Sequence, residues 1–123
     1  MNRELNRVLI EIGGAPRVEK ILLDFYNTMS KDVMIGFFFE GFDLTRISKM
    51  QAAFLLRSAG LIPTYEGRTP DRAHEKIPPI LPGHFDRRIQ ILKSTLKEAG
   101  LNEAQTTVWT DFEEAFRPMV VSS

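Results

Sequence analysis

RTPDRAHEKIPPILPGHF, from Arg68 to Phe85, holds both histidines of the chain, His74 and His84, and four of its seven prolines. The rest of the chain is patterned for helix, so this stretch decides between a plain helical domain and a helical domain built around a cofactor. Residues 60 to 83 carry five prolines and three glycines and leave room for one short helix, from about Pro70 to Ile77. A connection of more than ~15 residues with little structure is uncommon in a compact domain unless it is functional. Packing it against a group that is not protein is one physical way to order it. An ordinary irregular connection is the plainer alternative.

The two histidines differ in setting. His74 sits near the middle of the short helix, between a start at Thr69-Pro70-Asp71 and a hard stop at Pro78-Pro79. Prolines on both sides give the imidazole a stiff frame, which a metal ligand benefits from. The alternative is a partly exposed surface histidine. His84 opens the next helix after Pro82-Gly83 and suits a structural, capping role; its interval from His74 matches no zinc or metalloprotease spacing.

Outward from this stretch the apolar residues recur at helical spacing. Leu5, Val8, Leu9 and Ile12 share a face over residues 1–12, and Gly13-Gly14 stops it. After Pro16 come Val18, Ile21, Leu22, Phe25, Tyr26 and Met29. GFFFEGFD is an aromatic corner, with Asp43 placed to cap the next helix. That helix has a stripe of Leu44, Ile47, Gln51, Phe54 and Leu55 and ends at Gly60. Helix resumes at His84 with Phe85, Leu92, Leu96 and Ala99. Asn102 with Gln105 resembles a capping box, and the last helix carries Val108, Trp109, Phe112, Ala115, Phe116 and Met119, with Pro118 at its fraying end. No strand pattern competes. The expectation is one all-α domain over residues 1–123, with five or six helices and an irregular segment over residues 60–83.

Composition removes several function classes. Sixteen basic residues balance sixteen acidic ones, so no single-sign field points to nucleic acid or an anionic membrane. The absence of cysteine excludes disulfides, zinc–thiolate sites and cysteine catalysis. No stretch is long and apolar enough to span a membrane or to read as a signal peptide, so a cytoplasmic protein is expected. There is no Gly-rich phosphate loop and no nucleophile elbow.

Two polar residues stand out on core-facing stripes. Gln51 lies one turn from both Ile47 and Leu55, and Tyr26 lies beside Phe25, one turn beyond Leu22. A buried amide left without a partner costs ~1–3 kcal/mol. Each could be satisfied by a backbone group. Together they could form a small polar cluster in an apolar pocket, which is the make-up of a binding site.

From Gly13 to about Leu92 the chain resembles the truncated haemoglobins, the two-over-two globins. The resemblance rests on the glycine pair before the second helix, then DFYNTMSKDVMIGFFFEGFD, MQAAFL, YEG, AH and HFD in series. It implies a two-over-two helical sandwich around haem b, with His74 as the iron ligand. Tyr26 and Gln51 would be the distal residues that hydrogen-bond a bound gas. Phe39, Ile47, Phe54, Leu55 and Phe85 would line the haem, with Ile47 at the position that a distal histidine holds in other globins. Tyr65 and Arg72 would meet propionates, and Phe112 and Phe116 of the last helix would contribute to the floor of the core. The implied function is reversible binding of dioxygen, nitric oxide or carbon monoxide by a monomer or weak homo-oligomer. Oxidation of nitric oxide or peroxide chemistry, fed by an external reductase, is one alternative. A haem-free interaction or sensory module is another.

The chain departs from the family at three places. Gly60-Leu61 stands where a glycine pair is common, and the interval from His74 to His84-Phe85 is one residue longer. Arg88 stands where an apolar residue or tryptophan is usual. Either Arg88 faces out, with Ile89 or Ile91 facing in, or it faces the pocket and meets a propionate or an anionic ligand. The second outcome is the one that favours the haem-free reading.

Overall fold

The computed structural model describes residues 1–63 and 78–121. Tyr65, Arg72, His74 and the short helix expected over residues 70–77 lie outside the described residues. The first helix, α1 (Arg3–Glu11), starts on Asn2, whose Oδ1 accepts from the Leu5 amide at 3.0 Å. It stops at Gly13 and Gly14, where φ is 123° and 75°, a region open to glycine at little cost. Pro16 then lies in the first turn of α2 (Ala15–Ser30), where its missing N–H would have had no partner. The aromatic corner winds into a 3-10 turn (Gly36–Phe39). Asp43 caps α3 (Leu44–Ser58), its Oδ1 accepting from the Arg46 amide at 3.2 Å. Beyond come α4 (Pro82–Glu98), α5 (Glu103–Glu114) and a single turn, α6 (Arg117–Val120). The Asn102–Gln105 capping box is present in both directions, at 2.8 and 3.0 Å.

Two boundaries differ from the sequence expectation. α4 begins at Pro82, not at His84, because a proline is tolerated in a first turn. His84 closes that turn: its Nδ1 accepts from the Leu81 amide at 3.0 Å, and its ring meets Phe37 and Phe38 edge-on. At the other end, the last helix does not run on to Met119. Pro118 cannot donate to the carbonyl of Glu114, and its ring would collide with it. The helix therefore ends at Glu114, and Pro118 serves as an early residue of α6.

α3 packs on α2, α2 on α4, α4 on α5 and α5 on α1. The two packed pairs, α2–α3 and α4–α5, are thus joined through α2 and α4. The core between them is hydrocarbon: Leu5, Leu9, Val18, Leu22, Phe25, Met29, Leu55, Leu92, Leu96 and Trp109 are fully buried. Burial of one large apolar side chain is worth ~1.5–3 kcal/mol.

The packing of α3 corrects one expectation. Of the stripe Leu44, Ile47, Gln51, Phe54 and Leu55, only Leu55 is fully buried; the other four are half-buried. The face turned into the core is Ser48, Ala52, Leu55 and Leu56. Small side chains at 48 and 52 let α3 sit close to its neighbour, and the Ser48 hydroxyl is satisfied by donating to the Thr45 carbonyl at 2.9 Å. The larger residues are left along the flank of the helix.

Candidate functional site

Along that flank, polar side chains from three helices converge. Gln51 on α3 donates from Nε2 to Glu113 Oε1 on α5 at 3.2 Å. Glu113 Oε2 accepts from Arg88 Nη2 on α4 at 3.1 Å. The other terminal nitrogen of Arg88 reaches Met29 Sδ at 3.8 Å. Its guanidinium carbon lies 5.0 Å from the Phe25 ring centre and 5.8 Å from that of Tyr26. Cation–π contact of this kind favours a desolvated arginine. The ion pair is largely removed from water: the side chain of Arg88 is 19% exposed and that of Glu113 is 5% exposed.

The electrostatics follow from that burial. Desolvation pushes the Tyr26 hydroxyl above its usual value; the nearby Arg88 charge works against the rise, and Glu113 adds to it. Desolvation disfavours the Arg88 cation, but the Glu113 carboxylate beside it outweighs this, so Arg88 is held more firmly protonated than usual.

Aromatic side chains flank the cluster. Phe39 meets Tyr26 edge-on at 5.7 Å. Phe54, one turn along α3 from Gln51, packs with Phe112 at 6.0 Å and Phe116 at 5.3 Å, and those two meet each other at 5.2 Å. Phe39, Ile47, Phe54, Phe112 and Phe116 are all only half-buried.

The residues singled out from sequence fall into three sets. Tyr26, Gln51, Phe39, Ile47 and Phe54 lie together at this flank. Leu55 faces the main core, and Phe85 is buried at the start of α4 beneath the Arg117 guanidinium, 4.5 Å from its ring centre. Tyr65, Arg72 and His74 lie outside the described residues. Of the two outcomes left open for Arg88, the inward one holds; Ile89 and Ile91 are buried as well. Its partner, Glu113, was not anticipated. The signal was nonetheless present: Glu113 lies four residues after Trp109 and three before Phe116, so it shares their face of the helix.

Among the described residues no helix is long and apolar enough to cross a membrane, and no group of three or more His, Asp or Glu side chains could hold a metal ion.

Comparison with known proteins places this geometry. The bacterial-like globin family matches residues 8–121. A group 1 truncated haemoglobin of Synechocystis is 31% identical over 96 residues, covering 76% of this chain and 77% of that protein. A group 1 truncated haemoglobin of Tetrahymena pyriformis is 30% identical over 94 residues, with 76% and 77% covered. The crystal structure of a truncated haemoglobin of T. pyriformis in its Fe(III) form superposes with a TM-score of 0.85 at 26% identity, over 94% of this chain and 98% of that one. The helix pairs described above are therefore the two-over-two sandwich, and the chain belongs to the bacterial-like globin family, among the truncated haemoglobins.

Proposed function

We propose that this chain is a haem protein that binds a diatomic gas, with His74 as the iron ligand and Tyr26 and Gln51 on the distal side. The observation that carries the reading is that Tyr26 and Gln51 lie along one half-buried aromatic flank with Phe39 and Phe54. The donor set fits the group. The half-buried side chains of Phe39, Ile47, Phe54, Phe112 and Phe116 would line a flat apolar macrocycle, and a neutral imidazole such as that of His74 would hold its iron. Tyr65 and Arg72 are the candidates to meet propionates.

When bound, haem b supplies an iron with a position open to dioxygen, carbon monoxide or nitric oxide. The chain's own residues set the surroundings. The rings of Phe25 and Phe39 pack against the buried Tyr26 ring, and the hydroxyl, protonated at neutral pH as any phenol is, is made harder still to ionise by burial. It can donate to a ligand that carries partial negative charge. One such bond in a dry site is worth ~1–3 kcal/mol, or about one to two decades in the ligand's dissociation rate.

The inward position of Arg88 is the specific observation that favours the haem-free alternative, since an ion pair occupies space beside Tyr26. One experiment separates the two readings. Purified chain reconstituted with haem is expected to show a strong Soret band, and His74→Ala to abolish or grossly alter it. A wild-type protein that stays colourless would leave the haem-free module as the reading.

A further inference from the structure

We infer that the corner between the end of α2 and the start of α4 is a self-association surface, covered by a second copy of this chain. Val33, Met34 and Phe37 follow α2, and Leu81 immediately precedes α4; all four are exposed, Val33 completely, at 102%. They form one patch. The Met34 methyl lies against Gly83, where an added Cβ would be 3.5 Å away. The Phe37 ring meets His84 edge-on at 5.7 Å, and His84 holds the Leu81 amide at 3.0 Å. Neither contributing run, residues 33–39 or 78–84, carries a charged side chain. Contiguous exposed apolar side chains mark an interaction surface, whereas single ones need no explanation.

The patch is held in place from beneath. Asp32 accepts from the amides of Met34 and Ile35 at 3.0 and 3.2 Å, and from Arg87 on α4 at 2.7 Å. The Gly36 amide closes the turn onto the Asp32 carbonyl at 2.8 Å. Glycine permits that closure, since a Cβ at position 36 would lie 2.7 Å from the Ser30 carbonyl oxygen. A valine pointed into water by a pinned turn is pre-organised, so little further ordering opposes binding.

Charge and area select the occupant. The rim has no single sign: exposed Lys31 precedes residues 33–39 and exposed Glu40 follows them, while Arg87 is already paired with Asp32. It lacks the basic rim that an anionic membrane selects. Opposite charges at the two ends of one run complement themselves. A two-fold axis through the run reverses its direction, so Lys31 of each copy meets Glu40 of the other. With sixteen charges of each sign per chain, two copies do not repel. Four side chains exposed to this degree cover roughly 400 Å² on each copy, about 800 Å² for the pair, short of the ~1,200 Å² at which stable interfaces begin. The dimer is therefore weak and forms by mass action at high concentration.

Sedimentation velocity on the full chain from about 10 μM to about 1 mM tests this. The inference does not rest on the haem reading, and the measurement applies with or without haem. Wild type is expected to shift from monomer toward dimer as concentration rises. V33D and L81D should each weaken the dimer by ~100-fold, because each change occurs twice in a two-fold interface and one buried apolar side chain is worth ~10-fold or more. Both variants should fold: the Val33 side chain lies in water, and aspartate suits the N-cap position that Leu81 holds. I10D, at an exposed position on α1, should leave association unchanged. K31E and E40K should each weaken it several-fold, and K31E/E40K should restore it, since the reversed pair is complementary again. A chain monomeric throughout the range, a dimer indifferent to V33D and L81D, or a K31E/E40K chain no tighter than either single variant would overturn the inference. A monomer that co-sediments with phosphatidylcholine vesicles, and loses that binding in V33D, would overturn it too and assign the patch to a lipid surface.

Discussion

Around Trp109 the interior is hydrocarbon: Leu5, Leu9, Val18, Leu22, Leu92 and Leu96 are all fully buried. The indole N–H of Trp109 is the one buried side-chain nitrogen or oxygen without a partner among the described residues. One turn away on α4 and α5 lies the Arg88–Glu113 ion pair, with Gln51 of α3 bonded to it and the Tyr26 ring of α2 against its guanidinium. The first region is what stability alone would build. The second is not. Removing two charges from water costs several kcal/mol each, and replacing such a pair by hydrocarbon of similar volume is often neutral or stabilising. Stability alone therefore does not account for the ionic region, in which Glu113 holds Arg88 and Gln51 together.

The largest expected effects test that contrast through stability. Leu22→Ala in the dry region should cost ~2–5 kcal/mol, as the transfer and cavity terms add. Arg88→Met should cost ~3–5 kcal/mol, because it leaves the Glu113 carboxylate buried with Gln51 as its remaining partner. Glu113→Leu alone should cost less, since Arg88 is nearer the surface and its long stem can carry the charge outward. Combining Arg88→Met with Glu113→Leu should bring stability back to the wild-type level or above. Urea unfolding of the apoproteins gives all four values. A double variant as unstable as Arg88→Met would break the comparison, because the ion pair would then be part of what holds the fold.

How much of this was legible in the sequence also divides along the two regions. The dry region was readable almost residue by residue, because helical periodicity reports the burial of hydrocarbon directly. So were the caps at Asp43 and Asn102, whose side chains act within one turn. The ionic region was readable only in part. Tyr26 and Gln51 stood out because each interrupts an apolar stripe. Arg88 was noticed, but its direction depends on a pairing with Glu113 across 25 residues of chain, which no local pattern encodes. Glu113 was passed over because a glutamate in a helix ordinarily faces water. The face of α3 was misjudged for a related reason. Small Ser48 and Ala52 carry a weak apolar signal but permit the closest approach, while the bulky Ile47 and Phe54 give the strong signal and lie on the flank.

A smaller effect sharpens the comparison at alkaline pH. The Tyr26 hydroxyl titrates above its usual value of 10.0 in the folded chain. Below pH 10 the tyrosine is protonated whether the chain is folded or not, so it adds no pH dependence there. Above pH 10 the unfolded chain releases the proton first. The unfolded state then binds fewer protons, and stability falls as pH rises toward the folded value. Tyr26→Phe should therefore flatten the decline of Tm between about pH 9.5 and 11 relative to wild type. An identical alkaline slope in wild type and Tyr26→Phe would mean that the hydroxyl is not sequestered as the buried ring implies.

The smallest expected effect comes from an ion pair at the edge of the ionic region, and it separates burial from pairing as such. Asp32 follows α2, where its Oδ1 accepts from Arg87 at 2.7 and 3.0 Å and its Oδ2 from the amides of Met34 and Ile35 at 3.0 and 3.2 Å. The hydrogen bonds from Arg87, the stronger influence, and those from the two amides hold its carboxyl below the usual 3.8. The folded value is the lower one, so the stabilisation is fully present above pH 3.8 and is lost as pH falls through the folded value. Arg87 is 40% exposed, unlike Arg88, so solvent screens this pair and its worth is small. Asp32→Asn should lower Tm slightly at neutral pH and flatten the acid limb below about pH 4, because the amide can still accept but no longer ionises. Moderate salt should weaken the wild-type contribution of Asp32–Arg87 while leaving that of Arg88–Glu113 almost unchanged, since screening acts on exposed charges far more than on buried ones. Equal salt sensitivity in the two pairs would place Arg88 in water and remove the ground for treating the two arginines, adjacent on α4, as different in kind.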